Sequence, residues 1–172
     1  MNARVPEPPG ELVLRDARRQ DQPCILNMMQ LYYHDLMQWA PVRLHESGLF
    51  AVPSIDKYFE RAGHHALLIR VGGELAGFAL VDDNVLDEDA RINFGHFFMA
   101  YAYRHHGLPA AALAAILRRI PGHWEIVHAT ANRKAIPISR QVLRQIALEL
   151  RETAQMVEDV PCTVFHFRIR GD

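Results

Sequence analysis

Cysteine is scarce in this chain: Cys24 and Cys162 are the only two in 172 residues, far apart and outside any CxxC spacing. That excludes a disulfide scaffold and fits a reduced, cytoplasmic setting. An excess of one charge is missing too. Nineteen Lys and Arg stand against twenty Asp and Glu, a formal net charge of −1, so no broad surface for nucleic acid or anionic membrane is expected. The longest apolar run, Leu108 to Leu117, is half alanine and far short of the ~20 residues a membrane span needs. Ten histidines are present, but none fall in HxxxH or HExxH spacing. The adjacent pairs His64-His65 and His105-His106 would point apart on a helix or strand, so no metal is expected. Internal repeats and low-complexity tracts are also lacking.

What remains is an ordinary globular composition, 49% apolar and 23% charged, enough to exclude wholesale disorder. A chain of this length buries roughly 68–70% of its extended surface in one domain. Residues 1–11 carry Pro6, Pro8, Pro9 and Gly10 without an apolar run, and read as a flexible leader rather than a signal peptide. The domain is expected over 12–172.

Leu12–Asp16 alternates apolar and polar residues, as a strand does. Asp21 can cap a helix that tolerates Pro23 in its first turn. Ile25, Met28, Met29, Tyr32, Leu36 and Trp39 recur at helical steps, so that helix is expected to reach about Trp39, with Pro41 ending it. Ser54 to Ala62 reads as a short helix capped by Ser54. Ala66–Val71 and Glu74–Val81 are apolar runs joined by Gly72-Gly73, the pattern of a tight β-hairpin. Asp82 to Asp89 reads as an acidic loop, Ile92–Tyr101 as an aromatic-rich strand, and Leu108–Ile120 as an alanine-rich helix stopped by Pro121-Gly122. Trp124–His128 is a further strand. Asn132 can cap a helix running from near Lys134 to about Glu149, and Cys162–Ile169 closes the chain as a strand. Hairpins mixed with two strand–helix–strand crossovers, both expected right-handed, predict an α/β fold with helices on both sheet faces.

The chemistry is expected between Phe97 and Leu113. A buried strand ends in a turn containing Arg104, Gly107 follows, and a helix begins. A helix start presents unpaired N–H groups and a partial positive charge, which suits a phosphate. The same pattern also serves as a plain strand–turn–helix connection.

Arg104-His105-His106-Gly107-Leu108-Pro109 resembles the Arg/Gln-x-x-Gly-x-Gly/Ala motif of the GNAT acetyltransferase superfamily. Gly72-Gly73-Glu74-Leu75-Ala76-Gly77-Phe78 is similar to that family's central hairpin. Trp124-Glu125-Ile126-Val127 followed by Asn132-x-x-Ala135 is similar to its later strand and helix start. The four pieces come in family order between about Leu12 and Leu150. The resemblance implies a mixed, mostly antiparallel sheet, splayed after the strand ending near Met99, with acetyl-CoA as acyl donor. By the same resemblance, backbone groups of Phe98, Met99 and Ala100 would pair with the pantetheine arm. Amides from His105, His106, Gly107, Leu108 and Ala110, beside Arg104 and Pro109, would hold the pyrophosphate. Asn132 would touch the cofactor further along. A small-molecule or peptide amine would approach by Tyr33, Asp35 and Trp39, with a homodimer left open.

Two departures matter. Pro109 stands where the family has Gly or Ala and has no N–H, forfeiting one charge-assisted hydrogen bond worth ~1.5–3 kcal/mol. Ser139 falls where many members carry a tyrosine acid, and His96 where a carboxylate is frequent. Serine is a poor acid, whereas an imidazole near its usual 6.5 can take an ammonium's proton. His96 also fits the part of a satisfied core histidine. The chain therefore reads either as an N-acetyltransferase working by direct attack or as a GNAT-like protein that binds a ligand or partner without chemistry.

Overall fold

The computed structural model describes residues 10–171. Most of the 1–11 leader lies outside the described residues. Within them, Glu11 accepts a hydrogen bond from the Gly72 amide at 3.0 Å, so this end is tied to the hairpin turn.

Seven strands form one sheet in the order β1-β2-β3-β4-β5-β7-β6. They are β1 Leu12–Asp16, β2 His65–Val71, β3 Glu74–Asp82, β4 Ile92–Met99, β5 Gly122–Ala129, β6 Leu148–Val157 and β7 Val160–Ile169. Every neighbouring pair is antiparallel except β4 with β5. The β2–β3 hairpin turns on Gly72 and Gly73, with φ of 59° and 84°; two successive positive φ values are what the two-residue turn demands.

Helices cover both faces. Helix α1 (Gln22–Leu36) and the short α2 (Lys57–Glu60) lie on one, α3 (Leu108–Arg119) and α4 (Ala135–Ile146) on the other. Two buried clusters result. Ile25, Met29, Ile55, Leu68, Phe78 and Leu80 pack beneath α1 and α2. Leu67, Ile69, Ile116, Trp124, Leu143 and Phe165 pack beneath α3 and α4. Each such side chain contributes roughly 1.5–3 kcal/mol on burial. No helix among the described residues is long and apolar enough to cross a membrane.

Several sequence expectations shift. Helix α1 stops at Leu36, and Trp39 sits in the turn beyond it. Ser54 does not cap α2; Asp56 holds that position, and the Ser54 hydroxyl bonds the Asp56 carboxylate at 2.7 Å. Asp82 belongs to β3 rather than to a loop, with only 2% of its surface exposed. Helix α4 ends at Ile146, not near Glu149. Strand β6 was not expected at all. Its residues are mostly exposed on an edge, so they carry no clean apolar alternation. Because β6 intervenes, β7 returns antiparallel to β5, and the second expected crossover is instead a connection out to the sheet edge.

The sheet opens between β4 and β5. These strands pair only at Ile92–Trp124 and Asn93–Glu125, then part. Glu125 pins the closed end: fully buried, it accepts the Leu86 amide at 2.9 Å, the Asp87 amide at 3.1 Å and a bond with His166 Nε2 at 3.0 Å. Just beyond, Gly95 is an extra residue in β4, since Leu80 faces His96 while Val81 faces Phe94. Such a bulge bends its strand and increases twist. A Cβ at Gly95 would overlap the Tyr58 hydroxyl and lie 2.8 Å from the Asp82 carboxylate, so glycine is required there.

Candidate functional site

The bulge decides which groups of β4 face the opening. The Ala100 amide donates to Ala76 of β3 at 2.8 Å. By alternation Phe98 also pairs its backbone with β3, while Phe97 and Met99 turn theirs toward β5, which has moved away. Phe98 and Ala100 are therefore not free to pair with an extended ligand. Met99 is free in direction, and Phe97, which the sequence reading missed, joins it. The interior glycine Gly95 was the available signal, since glycine within a strand pattern marks a bulge.

At the mouth of the opening, the Tyr101–Tyr103 3-10 turn leads into Arg104 and then to α3. His106 and Gly107 both have positive φ, 55° and 73°. The resulting turn leaves the amides of His105, His106, Gly107 and Ala110 without a protein acceptor among the described residues, whereas the Leu108 amide donates to the His105 carbonyl at 3.1 Å. Leu108 thus drops out of the expected donor set, and Pro109 has no donor to give. Helix α3 has no acidic residue in its first turn, so nothing offsets its positive end. This cradle fits a pyrophosphate.

Arg104 is already engaged. Its Nε donates to the Met99 carbonyl at 2.7 Å, its Nη2 pairs with Asp35 of α1, and its guanidinium lies 5.4 Å from the centre of the Phe98 ring. The residue expected on the cofactor and the one expected on the acceptor therefore meet each other.

His96 and Ser139 lie on opposite sheet faces. The His96 ring packs edge-on to Tyr32, with centroids 5.1 Å apart, and 6.1 Å from Tyr33, which stacks on Phe50 at 6.2 Å. Trp39 makes no aromatic contact with this group among the described residues. Burial pushes His96 down to about 4, against the pull of Asp82 and with the push of Lys57. It is thus a much weaker base than its ordinary value suggests. Its Nδ1 is buried without a partner, an unmet polar group that a ligand or water would satisfy. Behind it, Asp82 accepts from Tyr58 at 2.6 Å and Lys57 at 2.7 Å; this fixed carboxylate was not anticipated.

Ser139 is buried at 3% exposure, and its Oγ lies 2.8 Å from His128 Nε2 of β5. Burial lowers His128 to about 4 as well. Asn132 uses its side-chain oxygen to accept the Ala135 amide at 3.1 Å, but Lys134 rather than Asn132 holds the cap position of α4.

The two imidazoles make stability depend on pH. Both bind protons less readily in the native chain, near 4, than at the ordinary 6.5. Between those values the unfolded state holds more protons, so the contribution of these two rings to stability falls as pH drops from about 6.5 to 4 and then levels off. Each ring accounts for on the order of 3 kcal/mol over that span, at ~1.36 kcal/mol per pH unit. Urea unfolding is expected to show a lower midpoint at pH 5 than at pH 7; an equal or higher midpoint at pH 5 contradicts this.

No protein-family model matches the sequence, and no curated protein matches it. Solved structures do. Aminoglycoside acetyltransferase AAC(6')-Ib in complex with coenzyme A superimposes with a TM-score of 0.62 at 13% identity, over 93% of this chain and 95% of its own. The yncA structure of Salmonella typhimurium, with its cofactor acetyl-CoA, gives 0.61 at 15% identity, over 95% and 96%. An Escherichia coli N-acetyltransferase for a ribosomal-protein alanine gives 0.54 at 16%, over 94% and 96%. The fold is that of the GNAT-family acetyltransferases.

Proposed function

We propose that this protein is a cytoplasmic N-acetyltransferase that moves an acetyl group from acetyl-CoA to a primary amine by direct attack. The observation that carries the reading is the opening between β4 and β5 with four unpaired amides at its mouth. Acetyl-CoA supplies an activated acyl carbon. The amides of His105, His106, Gly107 and Ala110 hold its pyrophosphate. The edge offered by Phe97 and the Met99 amide, whose carbonyl Arg104 occupies, aligns the extended arm as an added strand. Tyr33 and His96 line the acceptor side, and Asp35 offers a carboxylate to a cationic amine once Arg104 turns toward phosphate.

His96 takes the amine's proton late. A ring near 4 cannot strip a free ammonium, so the acceptor attacks as the neutral amine, its first proton already lost to solvent. Attack on the carbonyl makes the remaining nitrogen protons far more acidic. The proton then passes to His96 Nδ1 directly or through one water. Most of the rate comes from holding the two reactants together.

A second reading, ligand binding without chemistry, is favoured by the depleted cradle: Pro109 lacks a donor, Leu108 has spent its own, and Arg104 is held by Asp35. Calorimetry with acetyl-CoA followed by product detection across a panel of amines separates the two. Binding with turnover is expected. Binding without turnover favours the second reading, and no binding overturns both.

A further inference from the structure

The last paired residues of the opening are Asn93 and Glu125. Three residues further along each strand stand His96 and His128, one on either side of the gap. Among Ile126, Val127, His128 and Ala129, the stretch of β5 that has parted from β4, His128 is the sole polar side chain. The two rings serve opposite faces, His96 against Tyr32 and Tyr33 of α1, His128 against Ser139 of α4 and edge-on to Phe165 at 6.2 Å. His128 Nδ1 has no protein partner among the described residues.

We infer that His128 is a catalytic residue that donates a hydrogen bond from Nδ1 to the departing sulfur, and that Ser139 is the positioning residue that sets its tautomer. This rests on the acetyltransferase reading above. If the Ser139 hydroxyl donates to Nε2, the ring proton must sit on Nδ1. The neutral ring then presents a fixed N–H rather than an exchangeable mixture. As the amine nitrogen bonds to the acyl carbon, the carbon–sulfur bond breaks and its electron pair stays on sulfur. His128 keeps its proton and only shares it, because a neutral imidazole cannot give one up to a thiolate. The sulfur is protonated by water after release, while the amine's proton leaves on the other face. Ser139 thus stands where a tyrosine would act, with the donor displaced onto β5.

Free CoA is the probe. Ultraviolet absorbance of its thiolate, followed against pH in the bound state, is expected to show a more acidic thiol on the wild type than on His128→Phe, which keeps ring bulk against Phe165 but has no donor. The difference expected from one hydrogen bond to a charged acceptor is about ten- to hundredfold in acid dissociation. Nitrogen NMR of the His128 ring is expected to show the Nδ1–H form in wild type and a tautomer mixture in Ser139→Ala, a change that loss of packing alone would not bring. Equal thiol titration in wild type and in a His128→Phe variant that binds CoA overturns this inference while leaving the acetyltransferase reading intact. An Nε2–H tautomer in the wild type does the same, even if His128→Phe does not fold. Failure of the wild type to bind CoA overturns both.

Discussion

Gly107→Glu is expected to reduce acetyl-CoA affinity by at least a hundredfold while leaving the protein folded. Gly107 has φ of 73°, and a Cβ there would meet nothing within 4 Å. Any other residue therefore pays a local strain of roughly 1–2 kcal/mol for the left-handed conformation, without a clash. The glutamate carboxylate would project where the amides of His105, His106 and Gly107 face outward, placing like charge against a phosphate. Gly107→Asn separates charge from strain, since asparagine tolerates this conformation and carries no charge. It is expected to retain most of the affinity. Calorimetry and thermal unfolding on both variants check this; a folded Gly107→Glu with unchanged affinity would falsify the pyrophosphate assignment. Pro109→Gly is the converse. It restores an amide to the first turn of α3 and is expected to tighten binding, at some cost in helix stability.

His96→Ala is expected to lower the rate of acetyl transfer by about 10²-fold, the usual scale for losing a positioned base, with acetyl-CoA affinity little changed. The second half follows from placement: His96 lies on the α1 face with Tyr32 and Tyr33, not at the turn whose amides would hold phosphate. Because burial holds the ring near 4, it stays unprotonated from pH 5 to 8. The acid limb of the wild-type profile is therefore expected to follow the acceptor ammonium, with no separate step near the ordinary histidine value. Kinetics with the best acceptor from the amine panel, beside calorimetry for acetyl-CoA, distinguish the outcomes. A His96→Ala enzyme within a few-fold of wild type across the pH range removes His96 from the mechanism and leaves proximity as the main source of rate.

Local patterns carried much of the architecture. Gly72-Gly73 between two apolar runs specified a hairpin because positive φ at two successive residues admits few alternatives. The strand–turn–helix around Gly107 was equally legible, since a helix start is a local event. The three- and four-residue steps of α1 and the alanine-rich run of α3 were read from the local sequence alone, though α1 stops short of Trp39. Edge strand β6 escaped because it pairs on one side only and stays mostly exposed, so burial imposes little pattern on its sequence.

What the sequence by itself determined was the order of the elements and the residue types at each turn. Which groups confront one another was decided by the tertiary structure. The bulge at Gly95 shifts β4 by one residue, and period-two alternation then moves every later side chain and amide to the other side. That single shift sends His96 to the α1 face and exposes the backbone of Phe97 and Met99 rather than that of Phe98 and Ala100. The pairings of Arg104 with Asp35, 69 positions apart, and of His128 with Ser139 across two elements have no local signature. They exist because helices packed on a splayed sheet bring distant residues to the same gap.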